Sequence, residues 1–205
     1  MQLVPFSQPG QAGRARADDL ARLLEQPTDR ERRPCPNCDT TCGCPARSTQ
    51  CCCSCSARCP DAPRFLSSEP ARYPIEPQVL PLVYVLAGLR LVPPCWSCEG
   101  HLQASGGLTR LPQVWFYSAS TVYPELIALY LKDLEFQKRL HHHWMVSVCP
   151  HAAGGATIFQ IQPEQLTPSD VKKAELQTLQ DDLRTIAGSL DASLRQLAIS
   201  QLKSV

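Results

Sequence analysis

The chain of 205 residues has few aromatic side chains (6%) and few charged ones (19%), and its formal net charge is only +1. An excess of basic residues, the electrostatic signature of proteins that bind nucleic acids or membrane surfaces, is missing. Neither kind of partner is therefore expected. The longest apolar stretch, residues 79–92, is too short to span a bilayer and contains Pro81 and Arg90. Residues 1–20 lack the apolar run of a signal peptide, so we expect a cytoplasmic protein.

Cysteine and proline are instead abundant, with 12 Cys and 19 Pro. Nine of the cysteines lie between Cys35 and Cys59, so most of the thiols are concentrated in one short block. In a reducing cytosol, dense cysteines are more often metal ligands than disulfides. We expect metal thiolates, while the even cysteine count keeps disulfide pairing open for a protein exported by another route.

Composition divides the chain into five segments. Residues 1–34 are expected to be weakly ordered apart from a short helix over 18–25, and residues 35–59 form the cysteine-rich block. Residues 60–77 are proline-rich and are interpreted as an extended connector. Residues 78–165 are expected to form a compact domain. Residues 166–205 are expected to form a C-terminal helix.

The compact domain is predicted to be α+β. Apolar residues on most sides of 78–89 indicate a buried helix, and the stripe in 125–140 indicates a second helix. Strands are predicted over 113–118, 143–149 and 156–161, which are rich in aromatic and β-branched residues. This order of elements is typical of a small, largely antiparallel sheet with helices packed on it.

The C-terminal helix is expected to begin after Thr167 or Ser169 and to run to about residue 203. Its apolar residues follow the alternating three- and four-residue steps of a heptad: Leu176, Leu179, Leu183, Ile186, Leu190 and Leu197. Two interpretations stay open. The helix packs on its own domain, or it forms a coiled coil with a protein partner or a second copy of the chain.

The cysteine-rich block contains almost no apolar side chain other than cysteine, so it cannot fold around a hydrophobic core. Its thiols are Cys35, Cys38, Cys42, Cys44, Cys51, Cys52, Cys53, Cys55 and Cys59. Three tetrahedral divalent ions have twelve coordination positions, which six terminal and three bridging thiolates fill. We expect a multinuclear zinc cluster, with Cu(I) and an iron–sulfur cluster as the alternatives.

This block resembles the β-type clusters of metallothioneins and the nine-cysteine, three-zinc clusters that precede some methyltransferase domains. The resemblance covers residues 35–59 and is carried by the number and crowding of the cysteines. It implies metal binding and no enzymatic activity.

A second group of candidate ligands surrounds the segment CWSCEGH. Cys95, Cys98 and His101 have the spacing C-x2-C-x2-H, and Cys149 precedes His151 by two residues. If the strand that carries Cys149 lay beside this segment, the three cysteines and one of the two histidines would form a tetrahedral zinc site. The alternative is that these cysteines are small buried hydrophobic side chains. The three consecutive histidines at 141–143 are interpreted as a polar turn after a helix.

The same segment resembles small α+β proteins with an S-C-x-G-H signature, among them relatives of the methyltransferase of wybutosine synthesis. The matching positions are Ser97, Cys98, Gly100 and His101. The resemblance implies an RNA-modifying domain. The chain has no glycine-rich cofactor loop and only one Lys or Arg, Arg110, between residues 93 and 125.

The sequence thus predicts a zinc-binding accessory protein that acts by protein–protein interaction, as a subunit or assembly factor of a larger complex. Metal storage or delivery is the first alternative, and an RNA-modifying enzyme acting at the CWSCEGH segment is the second. No catalytic residue is assigned, and an enzyme is not the favoured class.

Overall fold

The computed structural model describes residues 9–26, 75–102, 108–149, 157–164, 166 and 173–203. The described helices are α1 (Pro9–Glu25), α2 (Leu80–Leu89), α3 (Val122–Phe136) and α4 (Lys173–Leu202). The described strands are β1 (Pro94–Cys98), β2 (His101–Leu102), β3 (Leu108–Arg110), β4 (Gln113–Ser118), β5 (Trp144–Cys149) and β6 (Thr157–Pro163). The predicted α+β class, with a small antiparallel sheet and a long C-terminal helix, is confirmed.

The main sheet has four antiparallel strands in the order β1-β4-β6-β5, and β2 pairs with β3 as a separate two-stranded sheet. Along β4 the residues alternate between buried (Val114, Phe116) and half-buried (Gln113, Trp115, Tyr117). Since cross-strand partners share a face, the pairs Val114–Ile161 and Phe116–Phe159 define an inner face within the core. The opposite face, which carries Trp96, Trp115, Gln160 and Ser147, is called the outer face.

The core lies between the inner face and the helices. Helix α4 packs against α1, α2 and α3, while α3 lies on β5 and α2 on β1. Helix α1 is longer than the predicted 18–25, and its Leu20 and Leu23 are part of the core. In the ranges that the structure describes, no helix is both long and apolar enough to cross a membrane.

The apolar stripe of α4 is buried within its own chain. Leu179, Leu183, Ile186 and Leu190 are at most 1% exposed and belong to the core. The same period that fits a coiled coil therefore serves packing on the chain's own helices. Partner binding through α4 stays a prediction, and it would use the side of the helix that faces solvent.

The turn between α3 and β5 is fixed to α4 by one fully buried carboxylate, that of Asp182. Its Oδ1 accepts bonds from the His141 amide (2.9 Å) and lies 2.8 Å from the ring Nδ1 of the same residue. Its Oδ2 accepts bonds from the His142 amide (3.0 Å) and from Trp144 Nε1 (3.0 Å). The histidine triplet therefore has a structural role in this turn, together with a contact between His143 and Glu135 on the surface.

Candidate metal centre

Three side chains with metal-ligating atoms converge at the end of β1. The carboxylate of Glu76, the Sγ of Cys98 and a ring nitrogen of His101 all lie within 4.8 Å of one another. Ligand atoms around one tetrahedral zinc ion are separated by roughly 3.3–3.8 Å, so small side-chain rotations are enough to close the group on an ion. The three residues form a candidate metal centre.

The tight turn after β1 places Cys98 and His101 on the same side. Gly100 has φ +88°, and its N–H donates a 3.4 Å hydrogen bond to Cys98 Sγ. A Cβ at this position would lie 2.6 Å from Leu176 Cδ1 and 3.0 Å from the ring of Pro112. Only glycine combines this backbone conformation with this close approach, so the glycine is what allows the turn. Amide hydrogen bonds to sulfur are also how proteins tune a metal-bound thiolate.

Glu76 is held in place by a reciprocal pair of hydrogen bonds between the segment before α2 and the turn after β1. Its Oε2 accepts a 2.6 Å bond from the Glu99 amide, while Glu99 Oε2 accepts a 2.8 Å bond from the Gln78 amide. Gln180 of α4 donates a 3.0 Å bond to the Glu99 carbonyl. The carboxylate of Glu76 is thus held by the Glu99 amide, and Glu99 is itself held by the segment before α2 and by α4.

The site is buried on the Glu76 and Cys98 sides and open at His101. Glu76 is 1% exposed, Cys98 is fully buried, and the His101 side chain is 28% exposed. A distance of 3.1 Å separates Glu76 Oε1 from His101 Nε2. One oxygen, one nitrogen and one sulfur donor are the set that zinc accepts in proteins, whereas Cu(I) favours sulfur alone.

The burial of Cys98 argues against the same group acting as a nucleophile and base. A catalytic cysteine must reach its substrate as an accessible thiolate, and Cys98 has no exposed surface. The imidazole of His101 also has Nε2 directed at Glu76. This geometry suits ligation of an ion better than attack on a substrate.

Of the other predicted ligands of this region, the structure describes Cys95 and Cys149, and neither belongs to the group. Cys95 is the extra residue of a β-bulge, because Pro94 pairs with Phe116 and Trp96 with Trp115. Cys149 ends β5, which is at the opposite edge of the sheet from β1, with β4 and β6 between them. His151 and the nine cysteines of 35–59 lie outside the described residues.

Glu76 is the ligand that the sequence-based reasoning missed. It lies 25 residues before His101, in a segment interpreted as a connector. No spacing rule joins it to the C-x2-C-x2-H pattern. The one available signal is a carboxylate placed just before a strongly apolar helix.

Cys95 is expected to be unreactive at neutral pH. Burial, with a smaller electrostatic contribution from Cys149, raises the pKa of its thiol to about 11. Since the thiolate is the reactive form, we expect alkylation of Cys95 by iodoacetamide at pH 8 to be about 100-fold slower than that of an ordinary thiol. The rate should rise about tenfold per pH unit until the pH approaches the pKa.

Peptide-resolved mass spectrometry of alkylated protein measures this rate for each cysteine separately. A small unstructured peptide with one cysteine serves as the reference thiol in the same tube. Equal rates for Cys95 and the reference at pH 8 would contradict the raised pKa.

Comparisons with protein-family models, with curated proteins and with solved structures gave no match for this chain.

Proposed function

We propose that this protein is a zinc-binding accessory protein and that Glu76, Cys98 and His101 hold one structural zinc ion. The proposal is carried by one observation, the convergence of three different ligand atoms within 4.8 Å. The ion joins the segment before α2 to the turn after β1. These are the two places where the chain enters the first helix and leaves the first strand of the compact domain.

The burial of the ligands favours a structural ion over a transported one. Structural zinc sites are closed, and an ion that is delivered to another protein needs a route of exchange. Here the only exposed ligand is His101. Two ligands, Glu76 and Cys98, would have to be uncovered before the ion could be released.

The nine thiols of residues 35–59 extend the proposal to a second, multinuclear zinc cluster. The same chemistry supports it, since crowded thiolates bind divalent zinc and the block offers no other source of folding energy. A reducing cytoplasm, where free thiols persist, is the compartment that this proposal requires.

We further propose that the protein acts by binding a protein partner, as a subunit or assembly factor. Helix α4 supplies the surface on its solvent-facing side, where Ala192, Gln196 and Ile199 are exposed. The role of zinc in this proposal is to hold rigid a region that lacks apolar side chains.

Removing one ligand of the candidate centre should remove one zinc ion. We expect Cys98→Ser and His101→Ala each to lower the zinc content by one equivalent per chain, measured by elemental analysis of protein purified without a histidine tag. Zinc present at 100 times its Kd stabilises a fold by about 2.7 kcal/mol. Chelation should therefore lower the Tm of the unaltered protein by roughly 5–10 °C through this site.

Cys95→Ser is the matched control, because Cys95 lies on the same strand and outside the group. It should keep the full zinc content. Equal zinc content in Cys98→Ser, His101→Ala and the unaltered protein would refute the site. Rapid loss of all zinc to a weak chelator with no change in Tm would support the storage and delivery alternative.

A further inference from the structure

A row of four side chains crosses the outer face of the sheet from edge to edge. Trp96 of β1 pairs with Trp115 of β4, Trp115 pairs with Gln160 of β6, and Gln160 pairs with Ser147 of β5. Residues that pair in this way project to the same side of a sheet. All four are half-buried, so each keeps part of its surface in solvent.

The two tryptophans form an aromatic pair at one end of this row. Their ring centroids are 4.8 Å apart and their planes are tilted by 49°. Trp115 Nε1 donates a 3.0 Å bond to Gln113 Oε1, which fixes the orientation of its indole ring. Indoles that keep part of their faces in solvent are suited to stacking on a flat ring.

One cation lies beside the pair. Arg110 of β3 is exposed, and its guanidinium carbon is 5.9 Å from the centroid of the Trp96 ring. The outer-face side chains of the four strands of the main sheet carry no charge of their own. A positive charge next to two indoles, on a face without carboxylates in those strands, is complementary to a ligand that is both planar and anionic.

We propose that the outer face binds single-stranded nucleic acid, with bases stacked on Trp96 and Trp115 and a phosphate held by Arg110. The row crosses all four strands of the main sheet, and a four-stranded sheet can stack two or three bases. The amides of Gln160 and Gln162, both bonded to Ser147 Oγ, lie beyond the indoles where base edges would reach.

A protein partner fits this surface less well. The centre of a protein–protein interface is apolar, whereas the middle of this row consists of amide and hydroxyl side chains. The near-neutral charge of the chain excludes binding driven by many phosphate contacts, but stacking needs only the aromatic faces. The inference does not rest on the zinc ion, since none of its residues is a ligand of the candidate centre.

Intrinsic fluorescence is a direct test, because the chain has three tryptophans and the third, Trp144, is 1% exposed. We expect a ten-nucleotide oligouridine to quench the emission of the intact protein to saturation. An abasic oligomer of the same length should not quench. Trp96→Ala and Trp115→Ala should each weaken binding by about 5- to 150-fold.

Arg110→Ala separates the charge from the stacking and leaves the core untouched, because Arg110 is exposed. One phosphate contact predicts a plot of log K against log salt with a slope of about −0.7, which this variant should bring close to zero. Phe136→Ala, which removes an aromatic ring that is 88% exposed on α3, should change nothing.

Three results would overturn the proposal. The first is no saturable quenching, the second is equal quenching by the abasic oligomer, and the third is unchanged affinity in both tryptophan variants. Failure of acrylamide to quench the two tryptophans in the free protein would show that another segment or a protein already covers the face, and it too would count against binding.

Discussion

Asp182→Ala is expected to lower the free energy of unfolding by about 3–5 kcal/mol, because it leaves three N–H donors without their acceptor. The carboxylate is fully buried and accepts hydrogen bonds from the backbone amides of His141 and His142 and from the indole N–H of Trp144. Each buried donor left without an acceptor costs about 1–3 kcal/mol. A typical domain is stable by only about 5–15 kcal/mol, so the variant should be close to unfolding at 37 °C.

Asp182→Asn should rescue little of this loss, because both carboxylate oxygens are used. Oδ1 faces two nitrogens of His141, and Oδ2 faces the His142 amide and the Trp144 indole. Whichever way the asparagine amide is oriented, its NH₂ group faces at least one N–H donor that has then lost its acceptor. We expect a loss of about 2–4 kcal/mol.

Urea denaturation followed by circular dichroism measures both values, and Asp181→Ala is the matched control. Asp181 is the neighbouring carboxylate on the same helix, but it is 40% exposed and pairs with Arg184 on the surface. Such pairs contribute at most about 1 kcal/mol. If the two alanine variants were equally stable, the buried carboxylate would not be what holds the turn to α4.

The elements of this fold that could be predicted are those with a clear period. The alternation in β4 identifies that strand at its observed bounds, and the stripe of α4 identifies the long helix. The period indicates that a helix has an apolar side but does not indicate what covers it. Packing on the same chain and coiled-coil pairing both require the apolar stripe of α4, so the sequence of the helix does not distinguish them.

The candidate site could be predicted only where its ligands are local in sequence. Cys98 and His101 share one turn, so a spacing pattern identifies them together. Glu76 reaches the site because the end of β1 returns to the segment before α2, and no local pattern contains that information. The expectation for Cys149 depended on strand order, and the insertion of β4 and β6 between β1 and β5 separates it from Cys98.

The zinc proposal and the nucleic-acid proposal concern adjacent parts of one strand and can be separated. Trp96 and Cys98 are two residues apart on β1, and Arg110 pairs with His101 across β2 and β3. A variant of Cys98 that lost zinc and kept nucleotide-dependent quenching would establish that the two sites are independent. Loss of both would indicate that the ion also holds β2 and β3 in place under Arg110.

Glycine variants test the turn of the metal centre against a position where glycine has no structural role. Gly188 lies on the exposed side of α4, and a Cβ there would meet no atom within 4 Å. Alanine at this position should raise the free energy of unfolding by about 0.5–1 kcal/mol, because glycine is the poorer helix former. Gly188→Ala is therefore the control for Gly100→Ala, because replacing glycine by alanine should stabilise the protein at position 188 and destabilise it at position 100.

Gly100→Ala is expected to lower the free energy of unfolding by about 2–4 kcal/mol and to abolish zinc binding at the candidate centre. The backbone at φ +88° is strained for any residue with a Cβ, and the rigid ring of Pro112 would lie 3.0 Å from that atom. Relief of this strain must displace the amide that bonds Cys98 Sγ, and His101 follows directly in the chain. The free energy of unfolding, measured by urea denaturation, and the zinc content should therefore both fall in this variant. Full zinc content at reduced stability would show that the ion is held without the observed turn, and it would remove the turn from the proposed site.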